Sequence, residues 1–513
     1  MLALISFIFL VGIDALGKNR FNVLFIAIDD LRPALGCYGD KVAKTPNIDR
    51  LAKQSIVFNR AYCQQAVCSP SRLSMLTGLR PDTIQVWDLG THFRKAQPNA
   101  VTLPQYFKNN GYSTQSIGKI FHGGGKPSQD PVSWSVKPQY DTTRNAKTRY
   151  ALPKNLKGTG LKRSSSESAD VSDNTYIDGI VANAAVKALR EMSNREQPFF
   201  LAVGFRKPHL PFNAPKKYWD LYERNHIPMP GNARYPKEAP ELATRSWMEL
   251  EGYTDIPKNG KLSDGKIREL RHGYYSCVSY IDAQVGRLLN ALERNEVTEK
   301  TIVMIYGDHG FHLGEQGLWT KANNFELSTR VPLILSLPNY PGARSNALVE
   351  LVDVYPSLCE AAELPIPDKL EGTSFLPVLK NPNKPWKSAV FSQYPRSLKG
   401  HRHSKHGDIM GYALRTKRYR YVEWQDWESK DIVGRELYDF KDDSFEISNI
   451  DSIVFLQKPI LSGFIPEIKY KIAYTLQIDQ SQVSVKATTL DYLGFIGQGK
   501  GIAAQAIATL KSV

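Results

Sequence analysis

Residues Asn22–Ile28 read NVLFIAI and are followed at once by Asp29 and Asp30. A run this short and this continuously apolar is typical of a strand in a parallel sheet that is buried on both faces. Ile302–Tyr306 (IVMIY) has the same character. A sheet built from such strands needs helices on both faces, so the chain is predicted to be an α/β protein.

The sequence around these two runs alternates short β-rich stretches with helical ones, which predicts a mostly parallel sheet covered by helices. Two long polar stretches, Gly123–Asp173 and Asn213–Gly265, are predicted to be loops, and the serine-rich Ser164–Ser168 belongs to the first. The other predicted elements are strands over Ser113–Ile117 and Phe199–Gly204 and helices over Pro46–Gln54, Leu103–Asn109 and Gly273–Asn295.

The composition changes after about Leu379, where the Lys/Pro-rich stretch KNPNKPWK predicts a linker. Beyond it, Gly411–Val422 and Glu436–Phe440 look like antiparallel strands. The predicted organisation is therefore a catalytic domain over 18–379, a smaller segment over 380–455 and a tail over 456–513.

The chain has 513 residues, a formal net charge of +15 and ordinary globular composition, which excludes the disordered and fibrous classes. An excess of basic residues favours an anionic partner such as nucleic acid, acidic lipid or a sulfated or carboxylated polymer, although it can also serve solubility alone. No RNA-binding signature or zinc-finger spacing is present, so no nucleic-acid partner is expected.

Residues 1–17 (MLALISFIFLVGIDALG) are apolar but short for a membrane span. They suit a signal peptide with Ala15-x-Gly17 as its cleavage site, although the missing basic residues at the start leave an uncleaved anchor or a misplaced start codon as alternatives. We therefore expect a secreted or periplasmic protein, lysosomal in a eukaryote, with no stable membrane span. The five cysteines form no CxxC pair, and their odd number leaves at least one unpaired.

Polar residues suited to chemistry follow each of the four predicted strands. A single residue of this kind is usually part of a turn or a solvated loop. In open α/β sheets, however, ligands bind in the crevice at the carboxyl ends of the strands, so four sets at that edge predict one active site. They are Asp29 and Asp30 after the first strand, Lys119 and His122 after the second, His209 after the third, and Asp308 and His309 after the fourth.

The three aspartates supply hard oxygen ligands, which Ca²⁺ or Mg²⁺ requires. His309 adds a nitrogen, which is less typical for Ca²⁺ and leaves the identity of the metal open. A divalent ion at this place would neutralise the carboxylates and polarise an anionic ester.

A further motif, Cys68-Ser69-Pro70-Ser71-Arg72, precedes Thr77-Gly78. Ser69 is predicted to cap a helix that has Pro70 at its first position and runs through Leu76. Residue 68 would then lie at a helix N-terminus, which favours an anion, and Arg72 could point back toward it. The alternative is a buried structural cysteine.

This motif resembles the signature of the sulfatase family, Cys/Ser-x-Pro-x-Arg with a trailing Thr-Gly. In that family a formylglycine-generating enzyme oxidises the cysteine to formylglycine, whose hydrate attacks sulfur with one hydroxyl and later expels sulfate by reforming the aldehyde. From Asn22 to about Asn449 the chain resembles the iduronate-2-sulfatase branch of the family. The matching stretches are Asp29–Pro33, Gly36–Asp40, Gln64–Cys68, Gly118–His122, Lys207–Phe212, Asp308–Gly310, Ser392–Arg396 and Met410–Tyr412.

The resemblance implies an alkaline-phosphatase/sulfatase-like fold, with a mixed, mostly parallel sheet flanked by helices and a smaller C-terminal antiparallel sheet. It implies a sulfated carbohydrate as substrate. The resemblance implies that Ca²⁺, or Mg²⁺ as the alternative, is bound by Asp29, Asp30, Asp308, His309 and the formylglycine at Cys68. It implies that Lys119 and Lys321 bind sulfate and that His122 assists the nucleophile. It also implies that His209 protonates or polarises the leaving oxygen and that Arg72 stabilises the aldehyde hydrate.

The chain departs from this branch at the substrate pocket. Phe311 stands where the branch has Trp and Ala322 where it has Tyr, so specificity for a uronate is not implied. His312 either adds a substrate contact or is a solvated loop residue. The basic run from Arg396 to Arg420 either contacts an anionic polysaccharide or is a solvated loop.

After about Phe455 the tail resembles the C-terminal part of methylerythritol cyclodiphosphate synthase, over roughly Lys458–Lys511, which implies an α-β-α fragment. The resemblance rests on Val485–Thr489, Leu493–Phe495 and Gly499–Ala506. That enzyme also needs zinc-binding residues from its N-terminal half, which nothing before the tail supplies in that setting. The tail is therefore predicted to be inactive, as a fusion or through a frameshift or gene-model error.

The function predicted from the sequence is hydrolysis of sulfate esters on a sulfated glycan or its fragments. A phosphodiesterase or phosphonate hydrolase with the same nucleophile is the alternative among enzymes. A non-catalytic glycan-binding protein is the alternative if Cys68 stays unmodified.

Overall fold

The part of the chain that can be described covers the sheet, its helices and a fraction of the tail. The predicted signal peptide, the centre of the basic run and most of the tail lie outside it. The computed structural model describes residues 20–122, 129–139, 146–157, 162–244, 249–258, 261–381, 384–397, 408–441, 446–447, 454–455, 465–476, 487–488 and 503–504.

Strands alternate with helices through the first two thirds of the chain, and a group of strands follows. The strands within the described residues are β1 (Asn22–Ile28), β2 (Ile56–Tyr62), β3 (Ser113–Gly118), β4 (Ser166–Ala169), β5 (Phe199–Phe205), β6 (Phe212–Pro215), β7 (Thr301–Gly307), β8 (Arg330–Val331), β9 (Leu333–Ser336), β10 (Ala343–Glu350), β11 (Ala389–Arg396), β12 (Ile409–Thr416), β13 (Tyr419–Asp426), β14 (Ile432–Asp439), β15 (Val454–Phe455), β16 (Ala487–Thr488) and β17 (Ala503–Ala504).

Helices cover both faces of the large sheet that these strands form. The α-helices within the described residues are α1 (Pro46–Lys53), α2 (Cys68–Thr77), α3 (Pro81–Ile84), α4 (Leu103–Asn109), α5 (Ala146–Arg149), α6 (Pro153–Leu156), α7 (Ile177–Ser193), α8 (Lys216–Trp219), α9 (Glu241–Thr244), α10 (Asp264–Arg294), α11 (Glu326–Thr329), α12 (Val354–Ala361), α13 (Leu376–Lys380) and α14 (Ile465–Leu476).

The large sheet has the strand order β10-β2-β9-β7-β1-β5-β3, with β8 paired to β2. Strands β7, β1, β5 and β3 are parallel neighbours. Strand β9 runs antiparallel to both β7 and β2, while β10 is parallel to β2. The sheet is therefore mixed and mostly parallel, which confirms the predicted fold class.

Strand β1 lies in the middle of the parallel block, and its side chains alternate between two cores. Leu24, Ile26 and Ile28 belong to one cluster, which also contains residues of α7 and α10. Val23, Phe25 and Ala27 belong to the other, which also contains residues of α2, α4 and α12. Burial on both faces explains why this run is continuously apolar.

One helix begins earlier than predicted, and one strand lies where a loop was predicted. Helix α10 begins at Asp264, nine residues before the predicted start, and the hydroxyl of its N-cap Ser263 accepts the Lys266 N–H at 3.3 Å. The sequence prediction missed this start because the first turns carry few apolar residues. Residues Ser166–Ala169, predicted as part of a loop, pair in parallel with β6 as strand β4.

The C-terminal strands β11 to β14 form a separate antiparallel sheet. The prediction of one strand over Gly411–Val422 was wrong, because the chain reverses after Thr416. The Thr416 hydroxyl accepts the backbone N–H groups of Arg418 and Tyr419, at 3.3 and 2.9 Å, and so stabilises a turn between β12 and β13.

This small sheet contacts the loop that leads to Cys68. The backbone N–H of Gln393 in β11 donates to the Gln64 carbonyl at 2.7 Å, and the Asn324 amide donates to the Gly411 carbonyl at 3.0 Å. The sheet therefore helps to position the segment that carries the proposed nucleophile.

The described part of the tail contains helix α14, and strands β15, β16 and β17 pair into a small sheet. The described helices include none whose length and hydropathy would let it cross a membrane.

Candidate active site

The carboxyl ends of the parallel strands meet at one edge of the large sheet. Ile28, the last residue of β1, pairs with Phe205 of β5 and Gly307 of β7, and Gly118 of β3 pairs with Gly204 of β5. All four strands therefore end at nearly the same level. The structure thus brings together the polar residues that follow them.

Cys68 is the first residue of helix α2 and is 2% exposed. Ser69 was predicted to cap this helix, but the N-cap residue is Val67, whose side chain makes no capping bond. The Cys68 Sγ lies 3.2 Å from Nε2 of His309. Burial, with Asp29 adding to it, holds the pKa of the thiol well above its usual range. An unmodified Cys68 therefore stays protonated and is a poor nucleophile.

Arg72, one turn further along α2, is fully buried and links three strand ends. Its Nε donates to Asp308 Oδ2 at 2.7 Å, and its Nη2 donates to Asp29 Oδ1 at 3.3 Å. Its Nη1 donates to the carbonyls of Lys119 and Ile120. The guanidinium therefore holds the ends of β1, β3 and β7 around residue 68.

Two of the buried carboxylates have opposite pKa shifts. Burial tends to raise the pKa of Asp29, but Lys119, whose Nζ lies 2.5 Å from Asp29 Oδ2, and other nearby cations hold it well below its usual range. Burial raises the pKa of Asp30 to about 6, although Lys321 opposes the effect. The carboxylate of Asp308 instead accepts the backbone N–H groups of Asp30 and His309, at 3.1 and 3.0 Å.

These residues fit a divalent cation. Asp29, Asp30, Cys68 and His309 each offer one ligand atom, and these atoms lie within 4.8 Å of one another. Oδ1 of Asp308 lies 3.6 Å from His309 Nε2. Burial, with the carboxylates of Asp29 and Glu249, raises the pKa of Asp30, while Lys321 and His309 oppose the effect. Carboxylate oxygens are the ligands that Ca²⁺ and Mg²⁺ prefer, so the donor set suits either ion.

Lys321 contacts Asp30, one of the carboxylates of this cluster. Its Nζ is 3.0 Å from Asp30 Oδ2 and 2.9 Å from Glu249 Oε2, so the ammonium fills the space between the two carboxylates. The sequence analysis missed Glu249, because it belongs to a long polar segment that was predicted as a loop and carries no motif.

His209 completes this side of the site. Its Nε2 lies 3.5 Å from Glu249 Oε1, and its Nδ1 lies 2.6 Å from the Leu210 carbonyl oxygen. A carbonyl only accepts hydrogen bonds, so we assign the proton to Nδ1. Burial lowers the pKa of His209 well below its usual value, although Glu249 opposes the effect. The imidazole is therefore neutral, with Nε2 facing Glu249.

His122 follows β3, and its Nδ1 is buried without a hydrogen-bond partner in the described part of the chain. Burial and the ammonium of Lys119 hold its pKa well below the usual value. A neutral imidazole with a free ring nitrogen can accept a proton or a hydrogen bond.

Phe311 and His312 are both fully buried. Lys321 Nζ lies 5.7 Å from the centre of the Phe311 ring, which packs edge-on against Phe212. His312 is not a solvated loop residue, because it packs against Phe325 and burial lowers its pKa to about 4. Both residues are thus buried, and substrate contact by either stays a prediction.

The basic run is mostly internal where it can be described. Arg415 pairs with Glu326 at 2.9 Å, and Arg420 pairs with Glu446 in a buried contact. These two guanidiniums are therefore buried and paired, and residues 398–407 lie outside the described part.

The chain matches three family models. The Sulfatase model covers residues 21–364, which is more than half of the chain. The model for the C-terminal part of N-sulphoglucosamine sulphohydrolase covers residues 314–458, and the YgbB family model covers residues 407–511. The first two confirm the resemblance of the main body, and the third confirms that the tail resembles another family.

Individual relatives agree with the family models. The chain is 36% identical to iduronate 2-sulfatase of Homo sapiens and 35% identical to that of Mus musculus, over 84% of this chain and 91% of each relative. A solved phosphonate monoester hydrolase from Silicibacter pomeroyi has the same fold, with a TM-score of 0.69 at 20% identity over 89% of this chain and 95% of its own.

A second solved protein, in complex with its substrate D-glucosamine-2-N,6-O-disulfate, shares the fold too. Its TM-score is 0.66 at 22% identity, over 89% of this chain and 98% of its own. Identities this low show the fold alone. The Sulfatase family model and the relatives above 30% identity also show the family. The chain therefore belongs to the sulfatase family and is a sulfuric ester hydrolase.

Proposed function

We propose that the chain removes sulfate from a sulfated glycan or its fragments, with residue 68 as nucleophile after oxidation of Cys68 to formylglycine. The observation that carries this proposal is the position of Cys68, at the N-terminus of α2 and within the carboxylate–histidine cluster. We assign Ca²⁺ to that cluster, with Mg²⁺ as the alternative, held by Asp29, Asp30, Asp308 and His309 together with residue 68.

The substrate sulfate would bind between two ammonium groups. Lys119 pairs with Asp29 and Lys321 pairs with Asp30, the two adjacent carboxylates of the cluster. The N-terminus of α2 adds a positive partial charge. Positive groups that are already in place stabilise the charge that develops on the sulfuryl oxygens. A bound divalent cation would add to this stabilisation and polarise the ester.

Hydrated formylglycine supplies one hydroxyl that attacks sulfur and a second whose deprotonation later releases sulfate. Arg72 holds the helix turn that carries residue 68. His122, neutral and with Nδ1 free, would accept the proton that the attacking hydroxyl loses.

The departing alcohol oxygen needs a proton or a hydrogen bond when its bond to sulfur breaks. His209 would supply it as an imidazolium, after Nε2 has taken up a proton from solvent, because the Leu210 carbonyl already accepts the hydrogen bond from Nδ1–H. Glu249 then stabilises the N–H form of Nε2 once the negatively charged substrate lies beside it.

Several further assignments rest on the sequence. The excess of basic residues and the iduronate in the relatives' name support a sulfated carbohydrate, while Phe311 and Ala322 leave its identity open. We assign residues 1–17 to a signal peptide, and so propose a secreted or periplasmic protein, lysosomal in a eukaryote, that depends on a formylglycine-generating enzyme. We assign 18–379 to the catalytic domain, 380–455 to the small domain and 456–513 to an inactive tail.

Turnover of aryl esters tests this proposal. The purified protein should release sulfate from an aryl sulfate faster than phosphate or phosphonate from the matching aryl esters, and Cys68→Ala should abolish turnover. Cys359→Ala, which removes a buried thiol from α12, is the matched control and should retain activity. Full activity of Cys68→Ala, or a preference for the phosphonate ester, would overturn the proposal.

A further inference from the structure

A buried lysine lies two residues before His209 and has no role in the chemistry above. Lys207 follows β5 and is 3% exposed, although its side chain carries an ammonium group. Its Nζ donates to the His209 carbonyl at 2.6 Å and to the Pro211 carbonyl at 2.5 Å. In the described part of the chain, its side-chain hydrogen bonds therefore go to main-chain oxygens on either side of Leu210.

The carbonyl between these two oxygens holds the imidazole of His209. Nδ1 of His209 donates to the Leu210 carbonyl at 2.6 Å, and Nε2 lies 3.5 Å from Glu249 Oε1. The ammonium thus binds the outer two of three consecutive carbonyls, and the imidazole binds the middle one. Because peptide groups are planar, fixing the outer two limits the rotation of the Leu210 carbonyl between them.

The start of the same segment is fixed by other groups. Asp178 of α7 is fully buried and accepts the backbone N–H groups of Arg206 and Lys207, at 2.6 and 3.2 Å. The His209 N–H donates to the Arg206 carbonyl at 3.0 Å. Lys207 therefore supplies the contacts that fix the carbonyls at and after His209.

Holding an ammonium in the interior costs free energy, because burial disfavours its charge. Burial lowers the pKa of Lys207 to about 8, although the nearby carboxylate of Asp178 opposes the effect. The group is therefore still charged at neutral pH, and a charged N–H donor gives stronger hydrogen bonds than a neutral one. A methionine of similar length would fill the same space without this cost but would lose both hydrogen bonds.

We propose that Lys207 is a positioning residue for His209, whose ammonium fixes the backbone around Leu210 and so directs the imidazole at the leaving oxygen of the substrate. This role rests on the proposed function, since it concerns the proton that His209 would supply. Without the ammonium, the Leu210 carbonyl turns more freely and the imidazole occupies a wider range of positions. Misplacement of a catalytic group by about 1 Å can cost about a hundredfold in rate.

Two aryl sulfates that differ in their leaving group test this role. The phenol released from para-nitrophenyl sulfate is a stronger acid than phenol itself, so it departs with little help from a proton donor, whereas phenyl sulfate depends on one. Lys207→Met should therefore raise the ratio of kcat/KM for para-nitrophenyl sulfate to kcat/KM for phenyl sulfate by about tenfold. A loss of folded protein lowers both values equally and leaves the ratio unchanged.

His209→Gln is the reference, because it removes the proton donor itself and should raise the same ratio at least as much. In the double variant, Lys207→Met should change the ratio little further, since both substitutions affect the same proton transfer. Lys216→Met, at a side chain that is 53% exposed, is the matched control and should keep the wild-type ratio. Lys207→Gln, which keeps an uncharged N–H donor, should raise the ratio in the same direction and replaces the methionine variant if that does not fold.

The outcomes separate this role from the proposed function. Equal losses on the two esters in the Lys207 variants, or effects on the ratio that multiply in the double variant, would make Lys207 structural and overturn the positioning role while sulfate hydrolysis stands. An unchanged ratio in His209→Gln would overturn it together with the role of His209. A wild type that releases sulfate from neither ester would overturn the proposed function itself.

Discussion

Arg72→Met tests whether this guanidinium holds the active site together. The substitution keeps a side chain of similar length but removes the charge, which leaves Asp308 and Asp29 without their buried partner. Breaking a buried ion pair costs roughly 3–5 kcal/mol. Asp308 keeps two backbone N–H donors and Asp29 keeps Lys119, so the expected loss lies at the lower end, about 3 kcal/mol, or roughly a hundredfold in the folding equilibrium constant.

The measurement is urea unfolding of the wild type and the variant, followed by tryptophan fluorescence in the same buffer. Arg50→Met is the matched control, because Arg50 pairs with Glu293 on the surface, where the two side chains are 49% and 51% exposed. An exposed pair contributes about 0–1 kcal/mol. If Arg72→Met costs no more than Arg50→Met, the network around residue 68 does not stabilise the fold and the reasoning is refuted.

Three further substitutions test other parts of the account. Lys321→Met should lower kcat/KM for an aryl sulfate by roughly 10²–10³-fold. The control Lys187→Met changes a side chain that is 78% exposed and should leave kcat/KM unchanged. Similar kcat/KM values for the two variants would contradict sulfate binding by Lys321. Gly118→Ala should lower the free energy of unfolding, measured in urea, by roughly 2–4 kcal/mol. The reason is that φ of Gly118 is +83° and the added Cβ would lie 2.1 Å from the Gly204 carbonyl oxygen. A decrease below about 1 kcal/mol would contradict this packing. Burial raises the pKa of Asp282 to about 6, so the folded state binds this proton more tightly than the unfolded state, and the stability it confers is lost as pH rises from about 4 to about 6. Asp282→Asn should remove roughly 3 kcal/mol of that pH dependence, and identical pH profiles for variant and wild type would refute the shift.

The parallel strands were predictable because each carries its own signal. Burial on both faces requires a continuous apolar run, so Asn22–Ile28 was predicted with the bounds that the structure shows. The convergence of residues after β1, β3, β5 and β7 followed from the geometry of parallel strands alone.

The remaining parts depend on contacts between distant segments. Glu249 lies in a long polar stretch whose path is set by packing against other elements, and no spacing in the sequence connects it to His209. The turn after Thr416 depends on one hydroxyl that accepts two backbone N–H groups. The start of α2 at Cys68, ahead of Ser69, likewise depends on local backbone geometry. Motif and periodicity therefore predicted the residues around Cys68 but not Glu249, which contacts His209 and Lys321.

The most direct test of the account is the mass of the tryptic peptide Ala61–Arg72 from protein produced together with a formylglycine-generating enzyme. We expect a peptide lighter than the unmodified sequence by about 18 Da, the change from a thiol-bearing carbon to an aldehyde, and sulfate release in proportion to the converted fraction. A peptide of unmodified mass in a preparation that still hydrolyses sulfate esters would contradict it.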